Sequence, residues 1–168
     1  MTTTLEKPTA ASAISLADAC ELIWLEADLL DGRDYPAWLA LWTEGGIYAI
    51  PTEPGATDLA ASLNYAYDDA AMRAMRVERL TAGHAISSTP AAATVRTVSR
   101  FRVTAREADA IEVRCAEHVS EYKFERARFW AADVEYRLVR VDGVLKLDRK
   151  VVRLINAGDA LAGLSYLL

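Results

Sequence analysis

The sequence predicts an α+β fold in which N-terminal helices pack in a strongly curved antiparallel sheet. Three observations carry this. Apolar residues recur at helical spacing up to about residue 82, and after Ala92 the period changes to the alternation of strands. Asp142-Gly143 lies between two strand-like runs, a strong hairpin signal. The strand-like runs are also long: fifteen residues of strand extend roughly 50 Å, against a diameter of about 40 Å for a compact chain of this size. Such strands must bend, bulge or project into a neighbour.

Helix one opens at Ser15, an N-cap with Asp18 three residues on. Leu16, Cys20, Ile23, Trp24, Ala27 and Leu30 follow at helical spacing. Leu22, Leu25 and Leu29 add a second apolar stripe, so the helix is expected to be covered on more than one side, and Gly32 supplies its stop. A second helix is expected from Asp34, with Pro36 in its first turn, to Gly45-Gly46, placing Trp38, Leu39, Leu41 and Trp42 in the core. A third covers 68–82, capped by Asp68 and Asp69 and ended by Gly83, with Met72 and Met75 as core gap-fillers.

Four strands follow, over 93–106, 111–126, 128–141 and 144–156. The run Arg149-Lys150-Val151-Val152 shifts the alternation phase and predicts a bulge. Phe129 and Trp130 are adjacent in a strand and so face opposite sides; an aromatic on an exposed outer face points to a partner. The loop over 52–66 is long for a compact domain and is placed to touch another chain.

A length of 168 residues fits one domain. Residues 1–13 are Thr- and Ala-rich, with neither a cationic start nor an apolar stretch, and read as a disordered leader rather than a signal peptide. That leaves 14–168 as the single domain. A net charge of −5 argues against nucleic acid as a partner, and no apolar run approaches a membrane span. Cys20 and Cys115, far apart in sequence, are expected as free core thiols in a reducing cytoplasm. Arg outnumbers Lys and lies mostly after position 90, which suits pairing with carboxylates at an interface or on a solvated sheet face. Arg96, Arg100, Arg102 and Trp130 are the interface candidates.

Between residues 67 and 99 the chain reads Tyr67-Asp68-Asp69, then Arg76-Val77-Glu78-Arg79-Leu80-Thr81-Ala82-Gly83, Pro90 and Thr94-Val95-Arg96-Thr97-Val98-Ser99. Earlier come Glu26-Ala27-Asp28-Leu29-Leu30-Asp31, Trp38-Leu39-Ala40-Leu41-Trp42 and Tyr48-Ala49-Ile50-Pro51; later come Lys150-Val151-Val152-Arg153-Leu154-Ile155-Asn156-Ala157-Gly158-Asp159 and Leu164-Ser165-Tyr166-Leu167-Leu168. This ordered set resembles the β (small) subunit of aromatic-ring-hydroxylating dioxygenases, the Rieske-type non-heme iron oxygenases. It departs from the family pattern at Ala92-Ala93-Thr94, where Ser-Arg-Thr is expected, and at Arg100, where Asn is expected.

The resemblance implies an NTF2-like (cystatin-like) cone and a non-catalytic structural subunit. That subunit would trimerise as the base of an α3β3 hexamer with a catalytic α subunit. The complex would insert both atoms of dioxygen into an aromatic ring, giving a cis-dihydrodiol, with electrons from NADH through a reductase. The α subunit would carry a Rieske 2Fe–2S cluster and mononuclear Fe(II).

The residues read independently agree about the metals. A Rieske cluster takes two Cys and two His, and a facial-triad iron site takes two further His and a carboxylate. With two Cys and two His in all, this chain holds neither set. His84 follows a helix stop, either as a cation at the helix terminus or as an acid or base in a cone pocket. His118 shares a strand face with Arg114, Ala116, Ser120 and Tyr122, and Asp28 and Asp31 mark a solvated helix edge or a contact with Arg. The tail residues Leu164, Tyr166, Leu167 and Leu168 follow glycines at 158 and 163. Burying three large apolar side chains is worth about 4 to 8 kcal/mol before ordering entropy, and docking at a subunit boundary is expected ahead of closing the chain's own cone. The rival reading is a stand-alone SnoaL-like or ketosteroid-isomerase-like cone enzyme using His84 or a buried carboxylate as base; a small-ligand-binding homo-oligomer is a third. Polar residues converging on a closed pocket would favour the enzyme, and an interior filled by Trp24, Trp38 and Trp42 the subunit.

Overall fold

A computed structural model describes residues 13–82, 91–159 and 166–168. His84, Pro90 and Leu164 lie outside the described residues. Helix α1 (Leu16–Gly32) opens with a complete capping box: the Ser15 hydroxyl accepts from the Asp18 N–H at 3.1 Å, and the Asp18 carboxylate accepts from the Ser15 N–H at 3.0 Å. The helix ends one residue later than expected. Gly32 stays helical, and Arg33 takes the left-handed conformation at φ 59°. Only one side of α1 is covered, because Trp24 and Leu25 are each nearly half exposed. Trp24 keeps an edge-on contact, at 5.7 Å, with Phe101 of strand β3 (Ala93–Arg106).

Helix α2 (Tyr35–Ala40), capped by Asp34, stops well before Gly45-Gly46. The next residues form strand β1 (Trp42–Pro51), which runs parallel to β6 (Val144–Leu154), with Trp42 opposite Leu147. A partner a hundred residues away overrides the local helical pattern. The strand enters close against the core, since a Cβ at Gly46 would lie 2.9 Å from the Trp42 ring. Strand β2 (Asn64–Asp68) pairs with β1 where the sequence suggests loop and helix start. Asp69 alone caps α3 (Ala70–Thr81); Asp68 instead pairs with Arg76, its second oxygen 2.8 Å from the guanidinium. Met72 and Met75 are exposed on α3, whose buried side chains are Arg73 and Val77.

The sheet is a single open, curved layer in the order β2-β1-β6-β5-β4-β3, with β4 spanning Ala110–Lys123 and β5 Arg126–Val141. It is antiparallel throughout except at the β1–β6 seam. The phase shift in β6 comes at Asp148, the residue left over between the Arg137–Arg149 and Leu138–Leu147 pairs. The helices pack on the inner face. There Trp38, fully buried, meets Trp42 and Tyr48 edge-on at 5.5 and 6.2 Å. Among the described residues no helix is long and apolar enough to cross a membrane.

Two hairpin turns place both central residues at positive φ. Asp142 and Gly143, at 50° and 82°, are the pair the sequence signals. Phe124 and Glu125, at 52° and 60°, are not, and the turn comes earlier than the expected break near residue 127. A left-handed conformation costs roughly 1–2 kcal/mol per side-chain-bearing residue, partly offset here by Lys123 lying 5.1 Å from the Phe124 ring centroid. Replacing Phe124-Glu125 by Asn-Gly is expected to raise stability by about 1 kcal/mol. Urea denaturation checks this: a higher midpoint at unchanged slope is the expected result.

Candidate functional site

The inside of the cone holds a chain of charges that the sequence does not announce. Glu26 of α1 accepts from Trp38 Nε1 at 3.0 Å, from the Tyr136 hydroxyl at 2.8 Å and from Lys150 Nζ at 3.1 Å. Lys150 Nζ also lies 3.9 Å from Glu117, whose other oxygen is 3.6 Å from Arg96 Nε. Arg96 in turn engages the Asp31 carboxylate, which also takes the Arg96 backbone N–H at 2.7 Å and the Thr94 hydroxyl at 2.8 Å. Glu26, Lys150 and Glu117 are all essentially inaccessible to solvent.

This cluster holds charge in place rather than moving protons. Both oxygens of Glu26 are occupied. Burial, reinforced by Glu26 and Glu117, pushes the Tyr136 hydroxyl far above its ordinary range, so it stays a donor. Burial likewise pushes the Cys115 thiol up to about 12, and Cys20 is raised for the same reason. Both cysteines are buried and free. Two open surface grooves of about 420 Å³ each lie elsewhere, one beside Leu22, Leu25 and Arg140, the other beside Thr57, Tyr67 and Arg149. Neither is lined by a residue of the cluster. Polar side chains therefore do converge inside the cone, but on one another.

A second buried carboxylate, Glu121, accepts from Arg128 at 2.7 Å, from the Tyr166 hydroxyl at 2.9 Å and from Trp130 Nε1 at 3.4 Å. Nearby, the Tyr48 hydroxyl donates to the Leu168 carbonyl and accepts from the Leu168 N–H, both at 3.1 Å. Arg96 bonds the Leu167 carbonyl. The helix ending at Thr81 leaves His84 beyond the described residues.

Of the residues expected at an interface, Arg96, Trp130, Leu167 and Leu168 are buried in this chain's own interior. Tyr166 is half-buried beside them. Strand alternation puts Arg96 and Trp130 on the inner face, where charge or aromatic character alone does not reveal it. Arg100 and Arg102 are on the outer face; Arg100 sits at a bulge with φ 57° and pairs with Asp133. Arg102 stands directly opposite Arg114, and neither has an ion-pair partner among the described residues. Phe129 and Trp130 do face opposite ways, at 77% and 7% exposure. Val95, Tyr122 and Ile155 join Phe129 as exposed apolar residues on the outer side. The loop before β2 is pinned to the chain's own sheet by Arg153, which donates to the Pro54 and Ala56 carbonyls at 2.9 Å.

A helix-lined, half-open sheet of this form defines a cone-fold protein. An NTF2-like protein with a cystatin-like fold from Novosphingobium aromaticivorans superposes with a TM-score of 0.58 at 18% identity, covering 84% of this chain and 91% of that one. Within the class the position is specific. The model of the ring hydroxylating beta subunit family matches residues 25–158. The small oxygenase component of the p-cumate 2,3-dioxygenase system of Pseudomonas putida is 32% identical over 142 residues, covering 83% of this chain and 79% of the relative. The β subunit of benzoate 1,2-dioxygenase from Burkholderia mallei superposes with a TM-score of 0.77 at 20% identity, covering 93% and 99% of the two chains. The chain belongs to the ring-hydroxylating dioxygenase β-subunit family.

Breaking a buried pair strands a charge, which costs about 3–5 kcal/mol, whereas replacing both partners by apolar groups of similar size is often neutral. Lys150→Met alone is expected to lose stability in that range by urea denaturation. The pair Glu26→Gln with Lys150→Met should recover part of the loss, leaving the Trp38 and Tyr136 donors an acceptor.

Proposed function

We propose that this chain is the non-catalytic structural β subunit of an aromatic-ring-hydroxylating dioxygenase, trimerising in the cytoplasm as the base of an α3β3 assembly. The observation that carries the reading is the family match over residues 25–158. The interior supports it, because among the described residues the buried carboxylates Glu26 and Glu121 and the hydroxyls of Tyr136 and Tyr166 are engaged with one another and with neighbouring side chains. The donor set does not fit the iron centres of such an oxygenase. Among the described residues no group of three or more His, Cys, Asp or Glu side chains is arranged to hold a metal, and the two cysteines are separately buried thiols. The Rieske cluster and mononuclear Fe(II) are accordingly assigned to the catalytic α subunit.

The outer sheet face is the proposed self-association surface, through Arg100, Arg102 and the exposed apolar residues around Phe129. The partly ion-paired Arg100 is a rim contact. Single Arg100→Ala or Arg102→Ala changes are expected to weaken association modestly, by about 1 kcal/mol or less.

The purified chain is expected to contain no stoichiometric iron, to show no iron–sulfur absorption, and to form no dihydrodiol on its own. Light scattering should give a trimer, or a concentration-dependent approach to one, and mixing with the α subunit of the same system should give a hexamer with turnover. Stoichiometric iron, or a monomer that α does not assemble, would overturn the reading.

A further inference from the structure

We infer that the cone contains a peptide-binding socket and that residues 166–168 are its resident ligand, a removable plug and not part of the scaffold. The socket is assembled from three strands. Tyr48 on β1 makes two hydrogen bonds to the main chain of Leu168, one in each direction. Arg96 on β3 bonds the Leu167 carbonyl, and its guanidinium is held from behind by Asp31. Glu121 on β4 accepts the Tyr166 hydroxyl, with Arg128 and Trp130 fixing its other lone pairs. Tyr48, Arg96 and Glu121 are 1%, 9% and 2% exposed.

Recognition falls mostly on backbone atoms. The three hydrogen bonds that join Tyr48 and Arg96 to the segment use its N–H and C=O groups, while Leu167 and Leu168 pack their side chains against the core. Specificity comes from two apolar seats, where Leu167 and Leu168 are 2% exposed each, and from the Tyr166 hydroxyl. A small, partly open cavity of about 40 Å³ lies beside Tyr166, lined by Leu30, Arg33, Tyr35, Leu80, Ala92 and Thr94. Removing the segment takes away the partners of the Tyr48 hydroxyl and of one Arg96 nitrogen, which costs the bonds they make. An empty socket therefore favours any ligand that restores those bonds. The ligand class is a short peptide with a tyrosine followed by two aliphatic residues.

The test uses the full chain and a variant ending at Asp159. The shortened protein is expected to stay folded, with a near-native circular dichroism spectrum and a lower Tm. Acetyl-Ser-Tyr-Leu-Leu, the sequence of 165–168, should then raise that Tm saturably while leaving the full chain unchanged. Tyr48→Phe in the shortened background should weaken peptide binding at least about tenfold, the effect of some 1.4 kcal/mol. If the shortened protein does not fold, a full-length variant with a protease site introduced between 159 and 166 is cut after folding. Exchange of the released segment for a fluorescent copy supports the socket, and unfolding on cleavage overturns it. A folded shortened protein that ignores the peptide, or that is as stable as the full chain, also overturns it. These outcomes are independent of whether the protein trimerises or binds α.

Discussion

A lysine inside a hydrophobic cone has to be answered, and the answer to Lys150 organises the structure around it. Removing an ammonium group from water costs several kcal/mol even after relaxation, so Glu26 must lie within reach, 3.1 Å away. Glu26 is on α1, and its position sets which face of that helix meets the sheet. Its remaining hydrogen-bonding capacity is filled by Trp38 from α2 and Tyr136 from β5. One ion pair thus draws together two helices and two strands, and Glu117 and Arg96 extend it to β4 and β3. Arg73 does related work at the other side of the cone. Its guanidinium, 4.3 Å above the Trp42 ring, donates to carbonyls of β1 and β2 and locks α3 against the sheet edge.

What could be read from the sequence depended on whether the signal was local. The α1 cap, the Asp142-Gly143 turn and the span of β3 are local, and they appear where expected. The end of α2 is not, because Trp42 leaves the helix for a partner in β6. The Phe124-Glu125 turn carries none of the residues that mark such turns and was invisible for that reason. The interior cluster was half visible. On β4, Glu117 and Glu121 fall in the same alternation phase as Val113, Cys115 and Val119, which is a readable sign of buried carboxylates. Lys150 was hidden because the extra residue at Asp148 reverses the phase just before it.

The outer face divides by how its charges are used. Toward one end Arg137 meets Glu107, Glu112 and Asp148, Arg149 meets Glu112, and Arg153 meets Glu135. Hydrogen bonding to Glu107 raises Arg137 further above its already high range. Such exposed pairs add little stability. They do leave that end largely paired, Arg102 and Arg114 excepted, whereas the other end, bearing Val95, Tyr122 and Phe129, offers apolar surface.

The parallel seam between β1 and β6 has a consequence for how the chain acquires its shape. β3, β4, β5 and β6 join in sequence through neighbouring hairpins, and β1 pairs with β2 across the loop over 52–63. The two groups meet only where β1 finds β6, across a separation of 105 residues between Thr43 and Asp148. Contacts that distant close slowly, because loop entropy is lost before they form. During synthesis the inner edge of β1 must wait, unpaired, until β6 has been made. The step that completes the sheet is also the one that brings Lys150 to Glu26, so the inward charge commits only when both halves of the sheet are present.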